Sequence, residues 1–292
     1  MLRTNQEALP CVGVTGKITT AAVSAFQGTW MDTEGNGRLL TGSGGIVYNY
    51  RLGDPCMGVA GVNIAPGVSV AGEHDPLVPS RNALSMYGCL GNTAVIVNGE
   101  AKGAKGLLTG KLSATRTVFY FDADVLSQLG GDETLLTRCY GTGLRLLDYP
   151  EVKAMSLSPL LLEKLGIHEE GGRLVVPVTH RIPSVLVGNG IGMVPFEDAA
   201  GIITDDPRDL ERYGLAGLRF GDVIIIEDFD STHGRAYLKG AATVGVVVSS
   251  NSPGMGSGPG FTTLLTSKQD RIRGEINGNA NIAHYLGVYA EN

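Results

Sequence analysis

Apolar and polar positions along this chain fall into short runs of β type, each cut off by glycine, aspartate or proline. The stretches 93–101 (TAVIVNGEA), 117–124 (TVFYFDAD), 173–188 (RLVVPVTHRIPSVLVG), 222–230 (DVIIIEDFD) and 242–250 (ATVGVVVSS) are rich in Val, Ile, Thr and aromatics, and they predict strands. The last two, joined by STHGRAYLKGA, predict an antiparallel pair with a long turn. Helical grammar is sparse. SPLLLEKLGI (158–167) and DDPRDLERYGL (205–215) each begin with a capping residue and an early proline and meet a glycine near the end, and DADVLSQLGG (122–131) is a shorter third. Strands do not alternate with ten- to fifteen-residue helices, so the pattern argues against a doubly wound parallel sheet. It predicts an α+β, β-rich protein with mixed or antiparallel sheets, or barrel-like halves, and a few short helices. The run 140–159 is the expected junction between halves 1–150 and 151–292, which also read as one compact unit.

Composition sharpens this picture in three places. The 43 glycines among 292 residues imply many tight turns and close backbone approaches. A net charge of -6 and 6% aromatic residues leave no basic, base-stacking footprint, so nucleic acid is not an expected partner. The chain has no apolar run of membrane-spanning length, and its first residues lack the pattern of a signal peptide. Four widely spaced cysteines, Cys11, Cys56, Cys89 and Cys139, read as reduced thiols of a cytoplasmic protein rather than as a zinc site.

Four stretches carry candidate chemistry. GEAKGAKGLLTGK (99–111) gathers three of the eight lysines among four glycines, reading as a solvated basic hairpin or as an anion site built on Lys102 and Lys105. Its spacing is not that of a P-loop. In TGSGGIVYNYRLGD (41–54), Tyr48 and Tyr50 share one strand face and are placed to wall a pocket. Of the five histidines, His233 is the best placed for chemistry, because a hairpin turn folds it towards Asp228 and Asp230. His168 is expected at a helix end, and Glu73-His74-Asp75 lacks a third metal ligand. The fourth stretch is VVVSSNSPGMGSGPGFTTLLTS (246–267), where a strongly apolar run opens into a loop of glycines, prolines and serines. Such a loop lets main chain approach a ligand or a neighbouring subunit closely, but its serines have no nearby base to activate them.

The segment 218–267, together with GTGLRLLDYPEVKAM (141–155), GEAKGAKGLLTGK and GSGGIVYNYRLGD, resembles an uncharacterised prokaryotic family, domain of unknown function 4438. The resemblance covers nearly the whole chain and implies a shared β-rich fold in a cytoplasmic protein, with no established activity. The chain departs from the family pattern at several positions. That pattern carries histidines where this chain has Ser249, Ser257, Leu112 and Ser231, and Asp-His followed by Glu where it has Val62, Asn63 and Ala65. The resemblance therefore implies a divergent member whose site has lost or exchanged its polar groups. The stretch FGDVIIIED is also similar to strands of acetamidase-like amidohydrolases, which turns the expectation towards amide chemistry.

Together these readings predict an enzyme acting on a small polar metabolite, a hydrolase, lyase or cyclase at an amide or lactam-like bond, needing no metal and no cofactor. The expected pocket is lined by 41–50, 60–69, 99–111, 228–235 and 249–263. His233, Asp230, Asp228 and Arg235 are its catalytic candidates. Lys102, Lys105, Tyr48, Asn63, Ser249, Ser257 and Thr262 are its ligand-binding candidates. The alternatives are a non-catalytic small-molecule binder that kept the fold, or a structural subunit. A homo-oligomer is the expected assembly.

Overall fold

The computed structural model describes all residues except 1, 22–29, 32–33, 36, 39–43, 73, 76–77, 114, 190–198, 253–257 and 289–292. Six strands of the first half, β1 (Val12–Ile18), β2 (Gly67–Gly72), β3 (Thr93–Ile96), β4 (Lys105–Ser113), β5 (Arg116–Tyr120) and β6 (Thr134–Cys139), pair in the order β1–β6–β3–β4–β5–β2. β2 returns to β1 through Gly16↔Gly72 and Ile18↔Val70, so the antiparallel sheet closes on itself as a barrel. Alternation along the strands turns Val14, Ile18, Val70, Ile96, Phe119 and Leu135 inward, each with less than 9% of its surface exposed. A short helix, Ala83–Tyr87, packs against this barrel and buries Leu84 completely.

The second half builds a mixed sheet from β8 (His180–Pro183), β9 (Ala199–Ile202), β10 (Val223–Asp230), β11 (Ala236–Val247) and β12 (Gly260–Ser267), in the order β8–β10–β11–β12–β9. β8 runs parallel to β10 and the other pairs are antiparallel. β7 (Arg173–Val178) and β13 (Ile272–Ile276) form a separate parallel pair. One hydrophobic cluster runs through both halves, from Val14 and Leu135 in the barrel to Val223–Ile226 and Leu264 in the second sheet. The architecture is thus α+β and β-rich, as the apolar runs indicated.

Local boundaries differ in instructive ways. The run 173–188 is broken after Val178, where the chain leaves Ile272–Ile276 to pair with Ile224–Glu227, and again at Pro183, which caps a 3-10 turn at Ser184–Leu186. The long turn expected between 230 and 242 is mostly strand, since β11 already begins at Ala236. The helices at Pro159–Lys164 and Pro207–Arg212 have the caps the sequence indicated. Ser158 Oγ accepts from Leu161 N at 3.2 Å, and Asp206 Oδ1 accepts from Arg208 N at 2.9 Å. The first of these stops at Lys164, so His168 lies outside it, exposed in a strand opposite Val175. The largest departure is the lysine–glycine stretch 99–111, whose second half is not a loop but the start of barrel strand β4.

β4 also joins the two halves. Its pairing with β3 ends at Leu107, and its register with β5 shifts twice, leaving Thr109 and Leu112 as extra residues. Between these bulges, Lys111 shares the buried face of Thr117 and is only 1% exposed, its charge felt at the buried thiols of Cys89 and Cys139. Gly110 is turned the other way, onto the second sheet, where a Cβ would lie 2.0 Å from Val248 Cγ2. The backbone of Lys111 has lost its strand neighbour there. A single hydroxyl replaces it: Lys111 N donates to Thr262 Oγ1 at 2.9 Å, and the same hydroxyl donates to Lys111 O at 3.2 Å.

Two outcomes are expected from this arrangement. Thr262→Val keeps the shape but strands a buried N–H and C=O, so it should cost on the order of 1–3 kcal/mol. Urea denaturation would show this as a lower midpoint with an unchanged m-value, and Thr262→Ser should recover most of the loss. The second concerns His180, whose Nε2 lies 3.1 Å from Gly214 O and whose Nδ1 lies 2.8 Å from Thr179 Oγ1. Gly214 O can only accept, which places the neutral ring's proton on Nε2. Burial holds the imidazole below its ordinary 6.5, outweighing the nearby Asp222 charge and the Gly214 carbonyl. The unfolded chain thus binds the proton more readily. Stability is full above about pH 6.5 and falls as the pH drops towards the depressed folded value. Thermal melts between pH 7.5 and 5.5 should show a smaller loss for His180→Gln than for the native chain, and equal losses would contradict this.

Candidate functional site

The glycine-serine loop that follows β11 does not open onto solvent at its described residues; it is fastened to the first half of the chain. Ser250 Oγ accepts from Ile64 N at 3.1 Å while Ser250 N donates to Ile64 O at 2.8 Å. Ser252 Oγ accepts from Asn63 N at 2.6 Å, and Asn251 Oδ1 accepts from Gly58 N at 2.9 Å. Asn63 meets this contact with φ at 48°, a left-handed conformation that asparagine tolerates. Ser249 Oγ accepts from Gly260 N at 3.3 Å and is 2% exposed. Ser257 lies outside the described residues. Ala65, Val118 and Val248 form a small buried cluster beside this seam, with Leu112 and Ala199 packed on it. Asn63, Ala65, Leu112 and Ser249 thus lie along one seam, where apolar packing and hydrogen bonds hold these segments together.

The β10–β11 hairpin carries the four catalytic candidates, and its geometry uses them structurally. Asp230 is 7% exposed, and its Oδ1 accepts from Thr232 N at 2.9 Å and Thr232 Oγ1 at 2.6 Å, which closes the turn. Lys268 Nζ lies 3.8 Å from its other oxygen. His233 is exposed at the tip, and among the described residues no hydrogen bond joins it to Asp230. Asp228 sits where the register jumps from Glu227↔Ala242 to Phe229↔Tyr237, with four residues of β11 opposite one of β10. With φ at 56° it turns its carboxylate onto Gly240 N, 2.7 Å away, and so holds the bulge. Arg235 is 1% exposed and donates from Nη1 to Ala199 O at 3.2 Å, pinning the turn to β9. Lys105 is exposed at the opposite end of β4, about 20 Å from Lys111 at the rise of a strand, and Lys102 is exposed in the turn before it.

Free chemistry is found elsewhere, in a cleft of about 420 Å³ at the rim of the barrel. Tyr48, Tyr50, Arg51, Tyr120 and Asp122 line it, over a floor that includes Phe121 and Leu126. The tyrosine pair read from the sequence is therefore on one cleft, with Tyr48 59% exposed. Tyr50 packs edge-on against Phe220, ring centroids 5.9 Å apart. The Tyr120 hydroxyl donates to Asp122 Oδ1 at 2.7 Å. Burial first, then that carboxylate, push the phenol up to about 12, with Arg51 pulling the other way. Tyr120 is thus a neutral hydrogen-bonding group near neutral pH, not a base. Arg51, Tyr120 and Asp122 were not among the residues singled out from the sequence. The signal was the tripeptide Tyr-Phe-Asp at 120–122, which sets a phenol and a carboxylate two residues apart as a strand ends. Among the described residues, no group of three His, Cys, Asp or Glu side chains is placed to hold a metal. None of the described helices is long and apolar enough to cross a membrane.

Comparison with known proteins agrees with this architecture. The crystal structure of TM1086 superposes with a TM-score of 0.88 at 36% sequence identity, covering 98% of this chain and 99% of that one. No curated protein matches the chain significantly. Family models for the N-terminal and C-terminal domains of unknown function DUF4438 match residues 30–163 and 164–286. The chain belongs to the DUF4438 family.

Proposed function

We propose that this protein binds a small polar metabolite in the cleft of Tyr48, Tyr50, Arg51, Tyr120 and Asp122. The observation that carries the reading is the cleft's lining: open aromatic faces, a guanidinium and a carboxylate around about 420 Å³. Volumes of roughly 300–1,000 Å³ with a few placed polar groups are typical of small-molecule sites. The seam offers no comparable opening at its described residues, since the side chains of Ser249, Ser250, Ser252 and Thr262 are engaged with other parts of the chain.

A binder is preferred to a hydrolase, lyase or cyclase because His233 and Asp230 are not coupled. A histidine base is most effective when a second group orients its ring, and among the described residues no hydrogen bond joins His233 to Asp230. Asp230 instead spends its Oδ1 on Thr232, and Arg235 spends a guanidinium N–H on Ala199 O. Four free cysteines, three of them buried, support a reducing compartment such as the cytoplasm.

Native mass spectrometry of the purified chain tests all of this at once, reading subunit count and any co-purified small molecule. Tyr48→Ala should lower the bound fraction, while His233→Ala should leave it unchanged with no loss of stability. Loss of the bound molecule in His233→Ala alone would overturn the assignment and return weight to the hairpin as a catalytic site.

A further inference from the structure

The cleft holds one positive and one negative side chain that do not neutralise each other. Among the described residues Arg51 has no side-chain hydrogen bond or ion pair; its main chain alone is engaged, the N–H donating to Asp54 Oδ2 at 2.7 Å and the carbonyl accepting from Asp54 N at 3.1 Å. Asp122, exposed and part of the cleft's lining, uses Oδ1 for the Tyr120 hydroxyl and has no hydrogen bond to Oδ2 among the described residues. Both side chains line the same cleft, together with Tyr120, whose hydroxyl lies 2.7 Å from Asp122 Oδ1.

Resting on the cleft as the binding site, we propose that its ligand is a zwitterion of the α-amino-acid type with an apolar or aromatic side chain. The ligand carboxylate meets the Arg51 guanidinium, its ammonium meets Asp122, and its side chain lies on the open Tyr48 ring.

Each half of the recognition follows from charge chemistry. A guanidinium presents parallel N–H donors that match a carboxylate, and an ammonium donates to a carboxylate oxygen with no acceptor of its own. A ligand that is only an anion would satisfy Arg51 but set its charge beside Asp122. One that is only a cation would satisfy Asp122 and face Arg51. Such like-charge contacts discriminate by repulsion as much as the correct pairs do by attraction. A zwitterion alone satisfies both. Tyr120 contributes position rather than charge, because its hydroxyl is already committed as a donor to Asp122 and so fixes where that carboxylate points. Tyr48, 59% exposed, offers a flat apolar face at little entropic cost.

Isothermal titration of the full chain with three probes separates the possibilities: L-phenylalanine, 3-phenylpropionate and 2-phenylethylamine share a ring but carry both charges, the negative one, or the positive one. L-Phenylalanine should bind, and each single-charge probe should bind at least about tenfold more weakly, the loss expected for one charged hydrogen bond. Arg51→Gln and Asp122→Asn should each weaken L-phenylalanine by a similar factor. Both are exposed positions, and Asn keeps an acceptor for Tyr120, so melting temperatures should stay near that of the native chain. If 3-phenylpropionate or 2-phenylethylamine matches L-phenylalanine, or if L-phenylalanine shows no binding, the zwitterion assignment is overturned. The broader reading then stands or falls separately, on whether a molecule co-purifies with the native chain and is lost from Tyr48→Ala.

Discussion

The structure depends on how β4 passes from the barrel to the second sheet. A regular strand continuing past Leu107 would carry an unpaired ladder edge into an apolar interface, at the cost of buried donors and acceptors. Two bulges and one threonine resolve this. The extra residue at Thr109 reverses which side chains face inward, so a lysine lies on the barrel side and a glycine meets Val248. The Thr262 hydroxyl then serves both polar groups of Lys111, as a neighbouring strand would have done. Gly110 is the geometric condition for this approach, because any side chain there collides with the facing sheet. Barrel and sheet are consequently parts of one packed core rather than beads on a string.

This docking explains where polar chemistry survives. Along the seam and the β10–β11 hairpin, serines, threonines and aspartates are consumed in closing turns, holding a bulge and joining distant backbone segments. Groups that complete a fold in this way are poorly available to a substrate. The barrel rim differs, because there the chain changes from strand to a short helix at Ala123–Leu126 and leaves Tyr120 and Asp122 beside Arg51. That rim sets a guanidinium, a carboxylate and an exposed tyrosine face on one cleft, which the described part of the seam does not.

Legibility in the sequence followed the same division. The second sheet was readable because its strands, such as Val223–Asp230, are Val- and Ile-rich and packed on both faces. Caps at Ser158 and Asp206 were readable because their chemistry is local. Barrel strands such as GVTGKI and KGLLTGKLS were not, since glycine and lysine are poor strand formers and signal loops unless tertiary contacts override them. A lysine 1% exposed in a strand has no periodic signature at all. Proximity in sequence also misled at the hairpin: Asp230 and His233 are three residues apart, yet the turn gives the carboxylate to Thr232. Tyr48 and Tyr50 do line one cleft, although they lie beyond the two-residue strand Ile46–Val47 and not on a shared strand face. Their partners at 120 and 122 come from another strand, and only the closed barrel brings them near.

The seam also sets an order of events during synthesis. Its contacts join residues 189 and 151 positions apart, Asn63 with Ser252 and Lys111 with Thr262. A nascent barrel therefore emerges from the ribosome with Ala65, Leu112 and Val118 uncovered, and it stays so until nearly the whole chain has been made. Contacts this distant repay their loop-closure cost last, which makes folding slow and the half-made chain adhesive. The latch that covers this surface is the loop at Ser252 and the strand Gly260–Ser267, among the last parts of the chain to be made.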